Sequence, residues 1–217
     1  MRYRLAMWAL CCSVAAAESL NSNPDVSLIV LLTGDAVTPL VLNAMEREVE
    51  ATVAPSGLKL SWESREDLGD DSVVNGRMAI IRMRGQCNSQ PPIGADTVTA
   101  AGGAELGVTH IVNGRILPFA DVLCSAVRQL VERDLRGVPI QGRDALLGRA
   151  LGRVLAHELY HILVQTADHG NDGLSRQRQS SADLLVPHRS FVLPDQRRIG
   201  ESIRGNLYGF AASDSGR

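Results

Sequence analysis

The sequence predicts an α+β fold, in which a twisted mixed sheet of about four to five strands packs against a long central helix and a backing helix. Two observations indicate this fold. Short β-branched apolar runs alternate with helical patterns over residues 26–135, and residues 146–166 keep apolar side chains around most of a helical circumference. The 217 residues, 45% of them hydrophobic, fit one domain with an ordinary core.

The N-terminus has the three parts of a secretory signal. Residues 1–4 are basic, residues 5–14 are mainly apolar, and residues 15–17 are alanines that suit cleavage. The apolar part is too short to span a bilayer. We therefore expect a signal peptide over residues 1–17, a secreted or periplasmic protein, and no stable membrane association after signal removal. The alternative is a buried first helix.

Charge and cysteine content narrow the possible partners. The net charge of -2 gives no basis for binding nucleic acid. Cys11 and Cys12 lie inside the signal, so the mature chain keeps Cys87 and Cys124. In an exported protein these two either form a disulfide or remain buried thiols, and both alternatives stay open because the sequence does not give the Cα separation.

The first half of the domain alternates strands with a helix. Val26–Leu32 is apolar and β-branched, which predicts a buried strand. A helix begins at Pro39, a residue that the first helical turn favours, and ends at residues 55–57. Leu58–Trp62 alternates apolar and polar residues and Met78–Met83 is a further apolar run, so both are predicted strands.

The second half begins with a loop over residues 85–107. Val108–Val112 and Ile116–Val122 follow as extended segments, and the Asn113-Gly114 pair between them predicts a hairpin turn. Cys124–Leu135 places apolar residues on one helical face, which predicts the backing helix.

The long helix comes next, with Asp144 as its expected N-cap and Thr166 near its end. Its apolar circumference predicts a central, buried position. Beyond it the composition turns polar. The predicted domain covers residues 18–186, and residues 187–217 are expected to form a polar surface tail with one short helix near Asp195–Ile203.

Inside the long helix, His157, Glu158 and His161 form the motif His-Glu-Leu-Tyr-His. Residues four apart lie on one side of a helix, so both imidazoles face the same point and the carboxylate lies beside them. A catalytic zinc needs this arrangement: two nitrogen ligands from a rigid helix and a general base. Glu158 is expected to take a proton from a metal-activated water and deliver it to the leaving amine.

A tetrahedral catalytic zinc needs a third protein ligand and leaves its fourth position to water. His169 is the nearest candidate, but a continuous helix would carry it out of reach. The chain is therefore expected to turn back, with Gly170 and Gly173 ending the helix in positive-φ conformations. Asp172 and Asp183 remain alternatives as oxygen ligands.

This layout resembles the metzincin-type zinc metallopeptidases, in particular the archaemetzincin-like and other small secreted bacterial members. The resemblance covers residues 26–185 in layout and residues 147–173 in motif. It implies a zincin-like fold with His157, His161 and His169 as Zn²⁺ ligands and Glu158 as the base. It also implies that a strand near residues 106–112 forms the upper rim of the cleft and pairs with an extended peptide or protein substrate.

The chain differs from the metzincin pattern in three respects. Val164 stands where the family has glycine, the third histidine comes two residues later than in the family, and no methionine follows Met83. The leading hypothesis is a secreted zinc-dependent peptidase of the endopeptidase type. The alternatives are a non-catalytic zinc-stabilised binding module on a degenerate peptidase scaffold, and a zinc amidase that acts on a non-peptide amide.

Overall fold

The computed structural model describes residues 27–64, 77–90 and 105–205, so the predicted signal peptide lies outside the described residues. The elements, in chain order, are β1 (Ser27–Gly34), α1 (Pro39–Val53), β2 (Lys59–Ser64), β3 (Arg77–Arg84), β4 (Gly107–Val112), β5 (Arg115–Leu123), α2 (Cys124–Arg136), α3 (Ile140–Val164), α4 (Ser181–Leu185) and α5 (Leu193–Gly205). None of the described helices is both long enough and apolar enough to cross a membrane.

The five strands form one sheet in the order β2-β1-β3-β5-β4. Neighbouring strands are parallel except for β4, which pairs antiparallel with β5 at the edge. The predicted mixed sheet with helices is confirmed, and its zincin-like character stays a prediction. The placement of β4 at an edge matters for the site because one side of this strand has no neighbouring strand among the described residues.

The predicted hairpin turn joins β4 to β5. Asn113 and Gly114 have φ values of 50° and 75°, which a two-residue hairpin turn of the tight primed type requires. The register of the pair shifts between Thr109 and Ile111. Such an irregularity re-aims side chains locally, and here it lies in the part of β4 that faces helix α3.

Helix α3 lies directly against α1 because two of its glycines leave room for the α1 backbone. A Cβ on Gly148 would lie 2.4 Å from the Val41 carbonyl oxygen, and one on Gly152 would lie 2.7 Å from that of Met45. A larger residue at either position would force the helices apart. The close packing holds α3 in the core, as its apolar circumference predicts.

Four leucines of α3 are completely buried, which confirms its central position; they are Leu147, Leu151, Leu155 and Leu159. The helix begins at Ile140, earlier than predicted, and Pro139 precedes it. Asp144 is therefore not the N-cap. Its carboxylate instead accepts a hydrogen bond from the backbone N–H of Ser89 at 3.2 Å and holds the chain after β3.

A disulfide joins Cys87 to Cys124, with their Cα atoms 5.0 Å apart. This resolves the alternative that the sequence leaves open. The bond ties the segment after β3 to the first residue of α2, and both cysteines are fully buried. It therefore fixes α2 at one end of the sheet.

The C-terminal stretch differs from the predicted polar surface tail. Helix α5 forms where a short helix is expected, but Phe191, Ile199 and Ile203 are buried in the main core. The few apolar residues of α5 lie among arginines, so their pattern is weak in sequence. Their burial becomes apparent only when α5 lies against α3.

Candidate metal centre

The two motif histidines project together from α3. The Nε2 atoms of His157 and His161 are 3.0 Å apart, and their ring centroids are 4.7 Å apart. His161 is 6% exposed, and His157 is partly buried. The spacing of four residues places both rings on one face, as the sequence predicts.

A backbone carbonyl holds each of these rings by its other nitrogen. Nδ1 of His157 lies 2.6 Å from the Leu174 carbonyl oxygen, and Nδ1 of His161 lies 2.7 Å from that of Thr166. A carbonyl oxygen only accepts, so each Nδ1 carries the proton and donates it. Both Nε2 atoms are then left with lone pairs directed at the shared space, which is the tautomer that metal-ligating histidines adopt.

The third histidine reaches the same space because α3 ends soon after His161. The last helical residue is Val164, and Gln165 adopts a left-handed conformation with φ of 54°. The Gln165 side-chain amide donates to the Ile162 carbonyl at 2.7 Å and satisfies one free acceptor of the helix end. The prediction that Gly170 and Gly173 end the helix is wrong, since the chain turns at Gln165.

The glycines have other tasks in the loop that follows. Gly173 has φ of 69° and begins a 3-10 turn over Gly173–Ser175. Gly170 needs its small size, because a Cβ there would lie 2.3 Å from the Ser175 hydroxyl oxygen. The Gly170 N–H donates to the Ser175 carbonyl at 3.0 Å, which closes the loop on itself.

His169 therefore lies against the helical pair. Its ring stacks on His157 at a centroid distance of 5.3 Å and meets His161 edge-on at 4.8 Å. Among the described residues these three histidines form a cluster that could hold a metal ion, with one nitrogen of each lying within 4.8 Å of the others. His169 is the exposed member of the three.

The alternative oxygen ligands lie elsewhere. Asp183 closes a capping box with Ser180 at the start of α4 and forms ion pairs with Arg176 and Arg189. Asp172 caps the 3-10 turn by accepting from the Gly173 N–H at 2.6 Å. Neither carboxylate belongs to the histidine cluster. The sequence pattern Ser180-x-x-Asp183 is the signal from which the capping role could have been read.

The donor set fits a divalent cation such as zinc. Two Nε2 lone pairs that face each other at 3.0 Å repel unless a positive charge lies between them. Ligands at the vertices of a tetrahedral zinc site, about 2.0–2.1 Å from the ion, are themselves about 3.3 Å apart. The helical pair is close to that spacing, and the three neutral imidazoles are ligands that zinc favours.

Burial keeps these histidines neutral. It lowers the pKa of His157 to about 4, although the bond to the Leu174 carbonyl opposes this shift. The pKa of His161 is lowered in the same direction, again mainly by burial. A metal binds only the neutral imidazole, so the helical pair is ready for a cation at neutral pH without losing protons first.

Glu158 directly follows His157 in α3, and its carboxylate lies against the edge strand. It is 5% exposed, and its Oε2 accepts a hydrogen bond from the Thr109 hydroxyl at 2.7 Å. A Cβ on Gly107 would lie 2.5 Å from its Oε1, so this glycine leaves room for the carboxylate. Burial raises the pKa of Glu158 to about 7, the bonds from Thr109 lower it, and nearby Glu105 raises it.

Searches of protein families, curated proteins and solved structures find no match to this chain. The site is therefore interpreted from its own geometry.

Two further residues lie in this region of α3 and β4. Tyr160 is fully buried and stacks on Phe191, and its hydroxyl donates to Asp195 at 3.2 Å. His110 is partly buried on β4, with Nε2 3.5 Å from the Asp121 carboxylate.

Sequence reasoning misses three contributors to the site: Thr109 and the backbone carbonyls of Thr166 and Leu174. Each acts on the motif from a distant part of the chain or through the backbone. A carbonyl has no signature in sequence. A threonine on a strand is ordinary, so the contact between Thr109 and Glu158 depends on packing of β4 against α3.

Proposed function

We propose that this protein is a secreted zinc-dependent peptidase with a zincin-like fold. One observation carries the proposal: three histidines converge on one space, and the residue that directly follows the first of them in α3 is a buried glutamate with a pKa near 7. Each part has an ordinary structural use by itself. Together they supply the ligands and the base that hydrolysis of an amide by water requires.

His157, His161 and His169 would hold the zinc ion, which supplies Lewis-acid activation of water and of the scissile carbonyl. The chain itself orients the ligands through the two backbone carbonyls and excludes bulk water by burial. Glu158 accepts a proton from the attacking water at a carboxylate oxygen. It then passes that proton to the nitrogen of the departing amine.

The environment of Glu158 suits this role. A general base works best when its pKa is near the working pH, and burial brings the pKa of this carboxyl to about 7. Hydrogen bonds from the Thr109 hydroxyl and backbone fix the orientation of the carboxylate against β4. A bound cation would lower the pKa by its charge, which favours the ionised base.

The edge strand β4 supplies the substrate-binding surface in this proposal. An extended peptide can add to a free strand edge by main-chain hydrogen bonds. Because these bonds involve only the backbone, they form with most peptide sequences. Gly107 and Thr109 of this strand both lie against Glu158, so a peptide paired with β4 passes close to the base. Ile111 and Val112, farther along this strand, are exposed.

Two further observations support an exported protein. The Cys87–Cys124 disulfide is typical of proteins that fold in oxidising compartments. The first 17 residues have the composition of a secretory signal. The proposal therefore includes secretion or a periplasmic location, with a peptide or protein as substrate.

The test compares the mature wild-type protein with Glu158→Gln on a broad peptide library, with bound zinc measured in both. We expect wild-type cleavage, a loss of kcat of roughly 10²–10⁴-fold in the variant, and unchanged zinc content. Glu132→Gln, on the surface of α2, is the matched control and should retain wild-type kcat.

Three results would contradict the proposal. Full activity of Glu158→Gln would exclude this residue as the base. Zinc binding without cleavage of any peptide would favour a non-catalytic binding module. Turnover confined to non-peptide amides would favour an amidase.

A further inference from the structure

A buried carboxylate on α5 connects three parts of the molecule behind the histidine cluster. Asp195 is 5% exposed and accepts hydrogen bonds from the Ser175 hydroxyl at 2.5 Å and the Tyr160 hydroxyl at 3.2 Å. Tyr160 belongs to α3 and lies between Glu158 and His161 in sequence. Ser175 belongs to the loop after His169. One side chain thus joins α3, the loop and α5.

The tyrosine end of this connection is directional. Arg198 donates to the Tyr160 hydroxyl oxygen at 2.9 Å, so the proton of that hydroxyl is free to point at Asp195. Arg198 and Asp195 therefore hold the Tyr160 hydroxyl from two sides, one as donor and one as acceptor.

On the loop side, Asp195 binds Ser175, whose carbonyl contacts the residue after the third histidine. Ser175 is fully buried, and its carbonyl accepts from the Gly170 N–H at 3.0 Å. A Cβ on Gly170 would lie 2.3 Å from the Ser175 Oγ and 3.4 Å from the Asp195 Oδ2. Gly170 therefore packs on the Ser175–Asp195 pair, and Gly170 directly follows His169.

The same loop segment also holds a ligand of the helix. Leu174, the residue before Ser175, accepts from Nδ1 of His157 at 2.6 Å through its carbonyl. A displacement of Ser175 would move this carbonyl and release the His157 ring. The position of two of the three histidines thus depends on the loop that Asp195 holds.

We propose that Asp195 is a positioning residue of the metal centre, which fixes the 170–175 loop so that His169 and the Leu174 carbonyl take their places. The inference rests on the proposed metal centre. None of the described contacts joins a side chain of α5 to the three histidines. Helix α5 therefore completes the site indirectly, through the loop that Asp195 holds.

The experiment measures Zn²⁺ and Co²⁺ affinity of wild-type protein, Asp195→Asn and Ser175→Ala by competition with a chelator. Outer-shell partners of a metal site typically contribute 10–100-fold in affinity, so we expect a loss of about 10-fold or more in each variant. The double variant should lose little more than either single one, because both break the same connection.

Two spectroscopic measurements separate positioning from general stability. The visible absorption of bound Co²⁺ reports its coordination, and it should change in both variants. In metal-free protein, the Gly170 amide should exchange with solvent faster in both variants while α3 amides keep their protection. Asp121→Asn is the control: this carboxylate is also buried, at 2% exposed, but its described partners are Arg82, Arg84 and His110, and none belongs to the 170–175 loop.

Unchanged metal affinity and an unchanged Co²⁺ spectrum in Asp195→Asn and Ser175→Ala would overturn the inference. An equal affinity loss in Asp121→Asn would also overturn it, since the effect would then reflect stability alone. Wild-type protein that binds metal but cleaves nothing would overturn the proposed peptidase activity and leave this inference standing. Wild-type protein that binds neither ion would overturn both.

Discussion

The three histidines of the cluster are held in two different ways. His157 and His161 lie on one buried helix, four residues apart, and their positions follow from helical geometry. His169 is exposed and lies on a loop that is held by hydrogen bonds to residues more distant in the chain. The position of the helical pair follows from local helical geometry and core packing, whereas the position of His169 depends on a network of hydrogen bonds.

The helix and the loop thus place their histidines in different environments. The helix carries its groups into a buried environment, where burial shifts the pKa of Glu158 upward and that of His157 downward. The loop places His169 at the surface, and hydrogen bonds that involve Gly170, Ser175 and Asp195 hold that loop.

The largest expected effect is that of Glu158→Gln on the free energy of unfolding of the metal-free protein. Its pKa is about 7 in the folded state and 4.5 in the unfolded state, so the stability from the protonated carboxyl is full below pH 4.5 and is lost as pH rises through 7. Glu158→Gln does not titrate, so it should be more stable than wild type at pH 8 by on the order of 3 kcal/mol.

The contribution of His157 to the free energy of unfolding depends on pH in the opposite direction. Its folded pKa of about 4 lies below the unfolded value of 6.5, so its contribution to stability is lost as pH falls from 6.5 to 4. Urea unfolding of metal-free Glu158→Gln should therefore show stability that rises between pH 4 and 6.5. Glu132→Gln on the surface should match wild type at both ends. A Glu158→Gln variant that is less stable than wild type at pH 8 would show that the folded site prefers the ionised carboxylate.

The second largest effect is expected on Zn²⁺ affinity, when a histidine of the helix and the histidine of the loop are replaced in turn. His161→Ala removes a buried, pre-oriented ligand and should weaken Zn²⁺ binding by at least about 100-fold, whereas His169→Ala should weaken it less, by about 10–100-fold. Isothermal titration or chelator competition measures both at pH 7.5. Equal losses would mean that the loop ligand is as well organised as the helical pair.

The smallest effects are expected from alanine substitutions at one glycine in each region, Gly148 of α3 and Gly170 of the loop. Gly148→Ala places a methyl group 2.4 Å from the Val41 carbonyl oxygen and should lower the free energy of unfolding by about 1–3 kcal/mol, with metal affinity retained. Gly170→Ala meets the Ser175 hydroxyl at 2.3 Å and should mainly weaken metal binding. Gly137→Ala is the control, because its nearest neighbour is 3.7 Å away. The comparison fails if Gly148→Ala changes metal affinity more than Gly170→Ala does.

Local patterns in the sequence predict much of the first region. The spacing of His157 and His161 determines that they converge, and the Asn113-Gly114 pair determines the hairpin that brings β4 to the sheet edge. The proline and glycine at the two ends of α1 mark its limits, which the structure confirms. These features depend on residues close in sequence, where backbone geometry leaves few alternatives.

Only the tertiary structure decides the second region. Gln165 takes the turn expected of a glycine, the Leu174 and Thr166 carbonyls orient the rings, and Asp195 is buried in a stretch expected to be a surface tail. The pairing of Cys87 with Cys124 is settled in the same way. Each of these contacts joins an element to a neighbour that it meets only after the chain has packed, and the pattern of either partner alone does not specify the other.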